Sequence, residues 1–195
     1  MSTDSADAYE ENAERFLQQR DQSTVGIDVV DRWAQSLGTG TQVLELGCGG
    51  GIPVTRTLFY AGLNVRAIDA SPSLVATFRE RFPNVPIKCE RVQDSDFFDM
   101  TFDAVIAIGL IFLLDADDQV ALLLRVADAL EPGGRFLFTA PVETGESRDE
   151  GTDHPCRSLG QAAYEDALRH AGFRILGYHE DRGRNHYYEA ERLDP

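Results

Sequence analysis

A chain of 195 residues, 43% hydrophobic and 26% charged, is long enough for one soluble domain with a substantial core. Its longest apolar run, Ala104 to Leu114, is too short to span a bilayer, so no membrane association is expected. The net charge of −15, from 33 acids against 18 bases, opposes a nucleic-acid partner, because affinity for phosphates is carried by clustered Lys and Arg.

The first residues are polar and acidic rather than basic and then apolar, which predicts a cytoplasmic chain without a signal peptide. Residues 1 to 8 read as a disordered tail. Tyr9, Ala13, Phe16 and Leu17 recur at helical spacing as far as Arg20, and Asp21 to Ser23 break the pattern. A second helix is predicted from Val25 to Leu37, with Ile27, Val30, Trp33 and Leu37 on one side and Thr24 or Ser23 as its N-cap. From there the pattern alternates: strand 41–46, helix 53–61, strand 63–69, helix 72–82, strand 86–89, strand 102–108, helix 116–130, strand 134–140, helix 159–171, then strands 173–180 and 185–192. Such alternation implies an α/β fold with a central, mostly parallel sheet covered by helices on both faces, ending in an antiparallel hairpin.

The first strand runs straight into Gly47-Cys48-Gly49-Gly50-Gly51-Ile52-Pro53. A strand can turn this sharply into a helix, with its backbone open to a ligand, only where several residues lack a Cβ. The dinucleotide pattern G-x-G-x-x-G would need glycine where Ile52 stands, which disfavours NAD, and no Lys follows as a phosphate-binding loop requires. Asp69 closes the next strand about 20 residues on, where a carboxylate can accept both hydroxyls of a ribose.

At these residues the chain resembles the class I S-adenosylmethionine-dependent methyltransferases. Val43 to Gly51 is similar to that family's first motif, Val65 to Ser71 to its ribose-binding second, and Leu130-Glu131-Pro132-Gly133-Gly134-Arg135 to its turn before strand five. The resemblance runs from about Val25 to the C-terminus. It implies a Rossmann-like methyltransferase fold of seven strands in the order 3-2-1-4-5-7-6, S-adenosylmethionine as cofactor, and an N-terminal helical lid. The expected division is a tail and lid helix over 1–24 and a cofactor-binding domain over 25–195.

Ligands of open α/β sheets sit beyond the carboxyl ends of the strands, which selects the loops that matter. Around the cofactor the expectation is Glu45, Gly47, Cys48, Gly49, Gly51, Asp69 and Ala70, then Asp94 or its neighbour Ser95 as acceptor for the adenine amino group, with Gln93 and Asp96 as alternatives. Ile108 and Gly109 would pass the methionyl part. Leu110 and Phe112 after strand four, Tyr9 and Arg20 from the lid, and Tyr188 on the last strand are the candidates to face the substrate, with Phe16 and Ser23 beside them. His186 on the last strand and His154 in the long 141–157 loop are the candidate general bases.

The base motif of enzymes that methylate nucleic-acid amino groups is absent after strand four, and the acidic surface with the hydrophobic segment there favours a small neutral or cationic acceptor over nucleic acid, handled by a monomer or homodimer. A protein substrate, a non-catalytic cofactor-binding subunit and an NAD-dependent oxidoreductase are the alternatives. The three cysteines, Cys48, Cys89 and Cys156, are odd in number and lack zinc-like spacing, so neither disulfides nor a metal is expected.

Overall fold

The computed structural model describes residues 5–194. Its elements in chain order are α1 (Ser5–Glu11), α2 (Ala13–Gln22), α3 (Ile27–Ser36), β1 (Gln42–Leu46), α4 (Val54–Tyr60), β2 (Asn64–Asp69), α5 (Pro72–Arg81), β3 (Ile87–Cys89), β4 (Phe102–Ala107), α6 (Ala116–Ala129), β5 (Leu130–Thr139), β6 (Gly145–Arg148), β7 (Pro155–Ser158), α7 (Gln161–His170), β8 (Phe173–Glu180) and β9 (His186–Arg192). Single 3-10 turns at Phe97–Asp99 and Ile111–Leu113 flank β4.

Seven strands form one sheet in the order β3-β2-β1-β4-β5-β9-β8. Numbered within that sheet alone, this is the expected 3-2-1-4-5-7-6. The strands from β3 to β5 are parallel, and β9 runs antiparallel to both its neighbours. Inner strands buried on both faces read as nearly continuous apolar runs, as Val43, Leu44 and Leu46 do in β1 and Ala104 to Ala107 in β4.

Each face carries its own core. On one, α3, α4 and α5 cover Val43, Val65, Ala104, Ile106 and Leu137 with Val30, Trp33, Leu58 and Phe78. On the other, α6 and α7 cover Leu44, Val105, Phe136, Phe138 and Tyr188 with Leu122, Val126 and Leu168. The Phe138 and Tyr188 rings stack at 4.8 Å across the β5–β9 pair, and Tyr164 of α7 meets Tyr188 edge-on at 5.6 Å.

Four expectations need correction. Residues 5 to 8 begin a helix rather than a tail, with Ala8 buried; residues 1 to 4 lie outside the described part. The single helix expected from Tyr9 to Arg20 is two, because the Asn12 side chain donates to the Ala8 carbonyl at 2.9 Å, and the backbone leaves helical geometry there. The α3 N-cap is Gly26, not Thr24 or Ser23: a Cβ at that position would lie 2.5 Å from the Tyr187 hydroxyl. The 141–157 loop folds into the ribbon β6–β7, whose first strand is exposed throughout and so carries no hydrophobic alternation to announce it. Among the described residues no helix is long and apolar enough to cross a membrane.

Candidate functional site

The site forms at the carboxyl ends of β1, β2, β4 and β5. The bend after β1 is tied down by its own backbone: the Gly47 and Cys48 N–H groups donate to the Ile68 carbonyl at 2.8 and 3.2 Å. Asp69, the last residue of β2, accepts from Gly49 N–H at 2.7 Å and from Ser71 N–H at 2.9 Å. One carboxylate therefore fixes both the glycine bend and the entry to α5. Burial raises its pKa, and the backbone donors oppose that rise.

Glu45, on β1 beneath the bend, is 3% exposed and accepts from the Thr55 hydroxyl at 2.6 Å. Burial pushes its pKa up to about 8, against an ordinary 4.5. A folded value above the unfolded one means the folded chain holds a proton the unfolded chain gives up, so stability falls as pH rises from 4.5 towards 8 and levels off above. The ligand-free protein should thus melt lower at pH 9 than at pH 6, and Glu45→Gln should flatten that slope. A melting series across this range, with both proteins behaving alike, would remove the charge effect assigned to Glu45.

A roof covers the bend. Phe16 of α2 lies against Gly49, where a Cβ would come within 2.9 Å of its ring. Arg81 of α5 pairs with Asp21 at 2.6 Å and donates to the Gly50 carbonyl at 3.1 Å, joining α2 to the glycine bend. Glu10 of α1 accepts from Ser71 Oγ at 2.5 Å, Ser73 N at 3.0 Å and Ser73 Oγ at 2.6 Å, and these hydrogen bonds hold its pKa below the ordinary value. Tyr9, next in sequence, packs edge-on against Phe16 and donates to Asp149 beside the β6–β7 ribbon at 3.3 Å. Two segments far apart in sequence thus meet above the same space.

That space is a cavity of about 240 Å³. Of the residues expected at the cofactor, Glu45, Gly47, Cys48, Gly49, Asp69, Ala70, Ile108 and Gly109 line it; of those expected at the substrate, Tyr9, Arg20, Leu110 and Phe112 do, with Phe16 alongside. Gly51, Asp94, Ser95, Tyr188, His154 and His186 are not among its walls. Gly51 packs instead against Phe78 and Phe82. Asp94 is exposed on a turn whose preceding residues Arg91, Val92 and Gln93 face the cavity, so Gln93 is the one of the expected alternatives that reaches the wall. Ser95 is buried, donating to Glu90 and accepting from Phe97 N–H. His154 is buried in the ribbon, with its carbonyl accepting from Asp149 N–H at 2.9 Å.

The last strand corrects the expectation most. His186 and Tyr188 do share a face, but it is the face under α7: His186 stacks on Tyr178 at 5.4 Å, Tyr188 stacks on Phe138, and burial lowers the His186 pKa. The opposite face, carrying Tyr187, reaches the cavity together with Thr139, its partner across β5. Tyr187 donates to Asp181 at 2.7 Å, which with burial raises its pKa and keeps it a neutral donor. Thr139 in turn accepts from Gly109 N–H at 2.7 Å. Sequence alternation marks the two faces of β9; only the β5–β9 register says which one meets the site. Among the described residues no cluster of three or more His, Cys, Asp or Glu is placed to hold a metal.

Residues 43–134 match the family model described as a methyltransferase domain. Aklanonic acid methyltransferase DauC from Streptomyces sp. (strain C5) is 34% identical over 113 residues, 53% of this chain and 50% of that protein. EEF1A lysine methyltransferase 4 from Mus musculus is 30% identical over 166 residues, 73% of this chain and 61% of that protein. The chain spans about half the length of the curated relatives it matches. Among solved structures, magnesium protoporphyrin IX methyltransferase from Synechocystis PCC 6803 with bound SAM superposes with a TM-score of 0.77 at 16% identity, covering 96% of this chain and 94% of that one. At that identity the likeness is one of fold.

Proposed function

We propose, for a chain that carries a methyltransferase domain of the class I S-adenosylmethionine-dependent kind, that it moves a methyl group from S-adenosylmethionine to a small-molecule acceptor. The observation that carries this reading is Asp69, whose carboxylate stands at the cavity wall beside a bend with no side chain at Gly47 or Gly49. That is an acceptor for ribose hydroxyls next to backbone a ligand can approach closely. Gly109 adds a stretch of open backbone, since a Cβ there would meet nothing within 4 Å.

When bound, the cofactor supplies an electrophilic methyl group on a sulfonium. The work of the chain is then to align and to exclude water, because in-line transfer from a cation is slowed by a well-solvated ground state. Val92 and Leu74 offer apolar surface to a flat ring, while Ile108, Leu110 and Phe112 keep water from the acceptor side. Tyr9 and Tyr187 stay protonated, as burial and their carboxylate partners raise both pKa values, so they orient an acceptor rather than take its proton. Neither His154 nor His186 is needed at the cavity. An acceptor that arrives with a free lone pair suits these walls best.

The roof supports a small acceptor over a polypeptide, since Tyr9 and Asp149 join above the cavity. Calorimetry with S-adenosylhomocysteine and with NADH tests the cofactor, and methyl-donor consumption against a metabolite panel tests turnover. Binding of the adenosyl ligand with turnover is expected; binding without turnover would leave a cofactor-binding subunit, and NADH binding alone an oxidoreductase.

We also assign α1 and α2 the role of lid. Glu10→Ala should then raise the dissociation rate of S-adenosylhomocysteine about 3- to 10-fold through loss of its hydrogen bonds to Ser71 and Ser73. Stopped-flow displacement measures this, and an unchanged rate would mean the helices do not gate exit.

A further inference from the structure

We propose that Arg125, which lies on α6 outside the cavity, is a positioning residue: it holds the loop 92–95 in the shape that reads the ring edge of the cofactor's base. The inference rests on the methyltransferase reading. Val92 and Gln93 are walls of the cavity, whereas Arg125 is not. Its Nη1 donates to the Gln93 carbonyl at 2.7 Å and to that of Val92, and its Nη2 donates to the Ser95 carbonyl. One guanidinium, a planar fork of N–H donors, thus gathers three carbonyls from four consecutive residues. Asp118, two turns earlier on the same helix, accepts from the Gln93 side chain at 3.1 Å, so α6 grips both the backbone and the side chain of that residue.

No sheet ladder holds this loop. Within it the Arg91 carbonyl accepts from Asp94 N–H and Ser95 N–H, both at 3.1 Å, which closes a turn but leaves the carbonyls of Val92, Gln93 and Ser95 to other donors. Immediately beyond, Phe97, Phe98 and Asp99 have φ of 51°, 63° and 51°, a left-handed run that residues with a side chain adopt only at a steric cost and that persists where its surroundings over-determine it. Arg125 contributes there too, with its guanidinium carbon 4.6 Å from the centre of the Phe97 ring. A planar trans peptide points its N–H opposite its carbonyl. With the Val92 carbonyl turned to α6, the Gln93 N–H is turned away from that helix, and it has no hydrogen-bond partner among the described residues. Adenine offers such a donor a bare ring nitrogen beside its amino group. In hypoxanthine that nitrogen carries a proton and opposes the same donor.

Calorimetry with S-adenosylhomocysteine and its hypoxanthine analogue, S-inosylhomocysteine, on the wild type, Arg125→Met and Arg125→Lys gives the test. The wild type is expected to prefer the adenine compound by about 10- to 100-fold. Arg125→Met should lose about 10-fold for S-adenosylhomocysteine and change less than about 2-fold for S-inosylhomocysteine, so that the preference itself falls. Arg125→Lys, which meets the carbonyls with one ammonium instead of a fork, should show a preference between the two. Equal loss for both ligands in Arg125→Met means that the residue serves stability alone and overturns the proposal, as does an unchanged preference. If Arg125→Met does not fold, Arg125→Lys decides by the same ratio: a partial fall supports the proposal and an unchanged preference overturns it. A wild type that binds both ligands alike also overturns it and leaves the methyltransferase reading standing; a wild type that binds neither sinks that reading, and the proposal with it.

Discussion

Asp69→Ala is expected to lower affinity for S-adenosylhomocysteine by about 10²- to 10⁴-fold, the largest binding effect of any single change at this site. The estimate assumes that the carboxylate accepts two ribose hydroxyls, each a charge-assisted bond worth about 1.5–3 kcal/mol. A second loss adds to it. Gly49 N–H and Ser71 N–H both donate to this carboxylate, so removing it releases the glycine bend and the first turn of α5 together. Asp69→Asn should be milder, because its amide oxygen can keep one of these bonds while its NH₂ cannot accept. Titration calorimetry of the three proteins checks the order wild type, Asn, Ala, with melting curves to show that each is folded. An Asp69→Ala protein that binds within tenfold of wild type would leave the cavity without its ribose acceptor and remove the main support for an adenosyl ligand.

What could be read before the structure was whatever depends on local pattern. Apolar runs alternating with helical segments marked the seven main strands and a mostly parallel sheet, since inner strands such as β1 and β4 are buried on both faces, whereas the strand order came only with the family resemblance. The glycine bend and Asp69 were legible for a related reason: backbone that must bend past a ligand leaves few choices of residue. What stayed hidden depends on pairing between distant segments. Whether Tyr187 or Tyr188 meets the cavity follows from Thr139 lying opposite Tyr187 in the β5–β9 ladder. That Gly26 caps α3 follows from the Tyr187 hydroxyl, which is 161 residues further along the chain. The ribbon β6–β7 is too polar to show a period, yet Asp149 beside it holds Tyr9. Asp94 was the chemically sensible residue on its loop, but the turn at Arg91 to Ser95 points it outward and brings Arg91, Val92 and Gln93 to the wall.

Gly51 separates the two kinds of constraint that a glycine-rich bend mixes, and Gly51→Val is the stability change expected to be largest. The residue has φ of 83°, a conformation that a β-branched side chain adopts only under strain of about 1–2 kcal/mol. Its Cβ would also fall 2.4 Å from Phe82 Cε2 and 3.0 Å from Phe78 Cδ2. Phe82 is only partly buried and can swing towards Phe59, but Phe78 is fully buried beneath it, with the two ring centroids 5.2 Å apart. Overpacking of that kind adds about 1–3 kcal/mol. Together the two effects should lower the melting temperature of a chain this size by about 10 °C, and Gly51→Ala, which lacks the branch, should fall between. Because Gly51 is off the cavity wall, the folded fraction of either variant should still bind S-adenosylhomocysteine more tightly than Asp69→Ala does. Calorimetric melting with and without ligand measures both quantities. A Gly51→Val protein that melts with the wild type would mean that the bend can relax around a side chain, and the glycine there would then reflect neither the backbone angle nor the rings it touches.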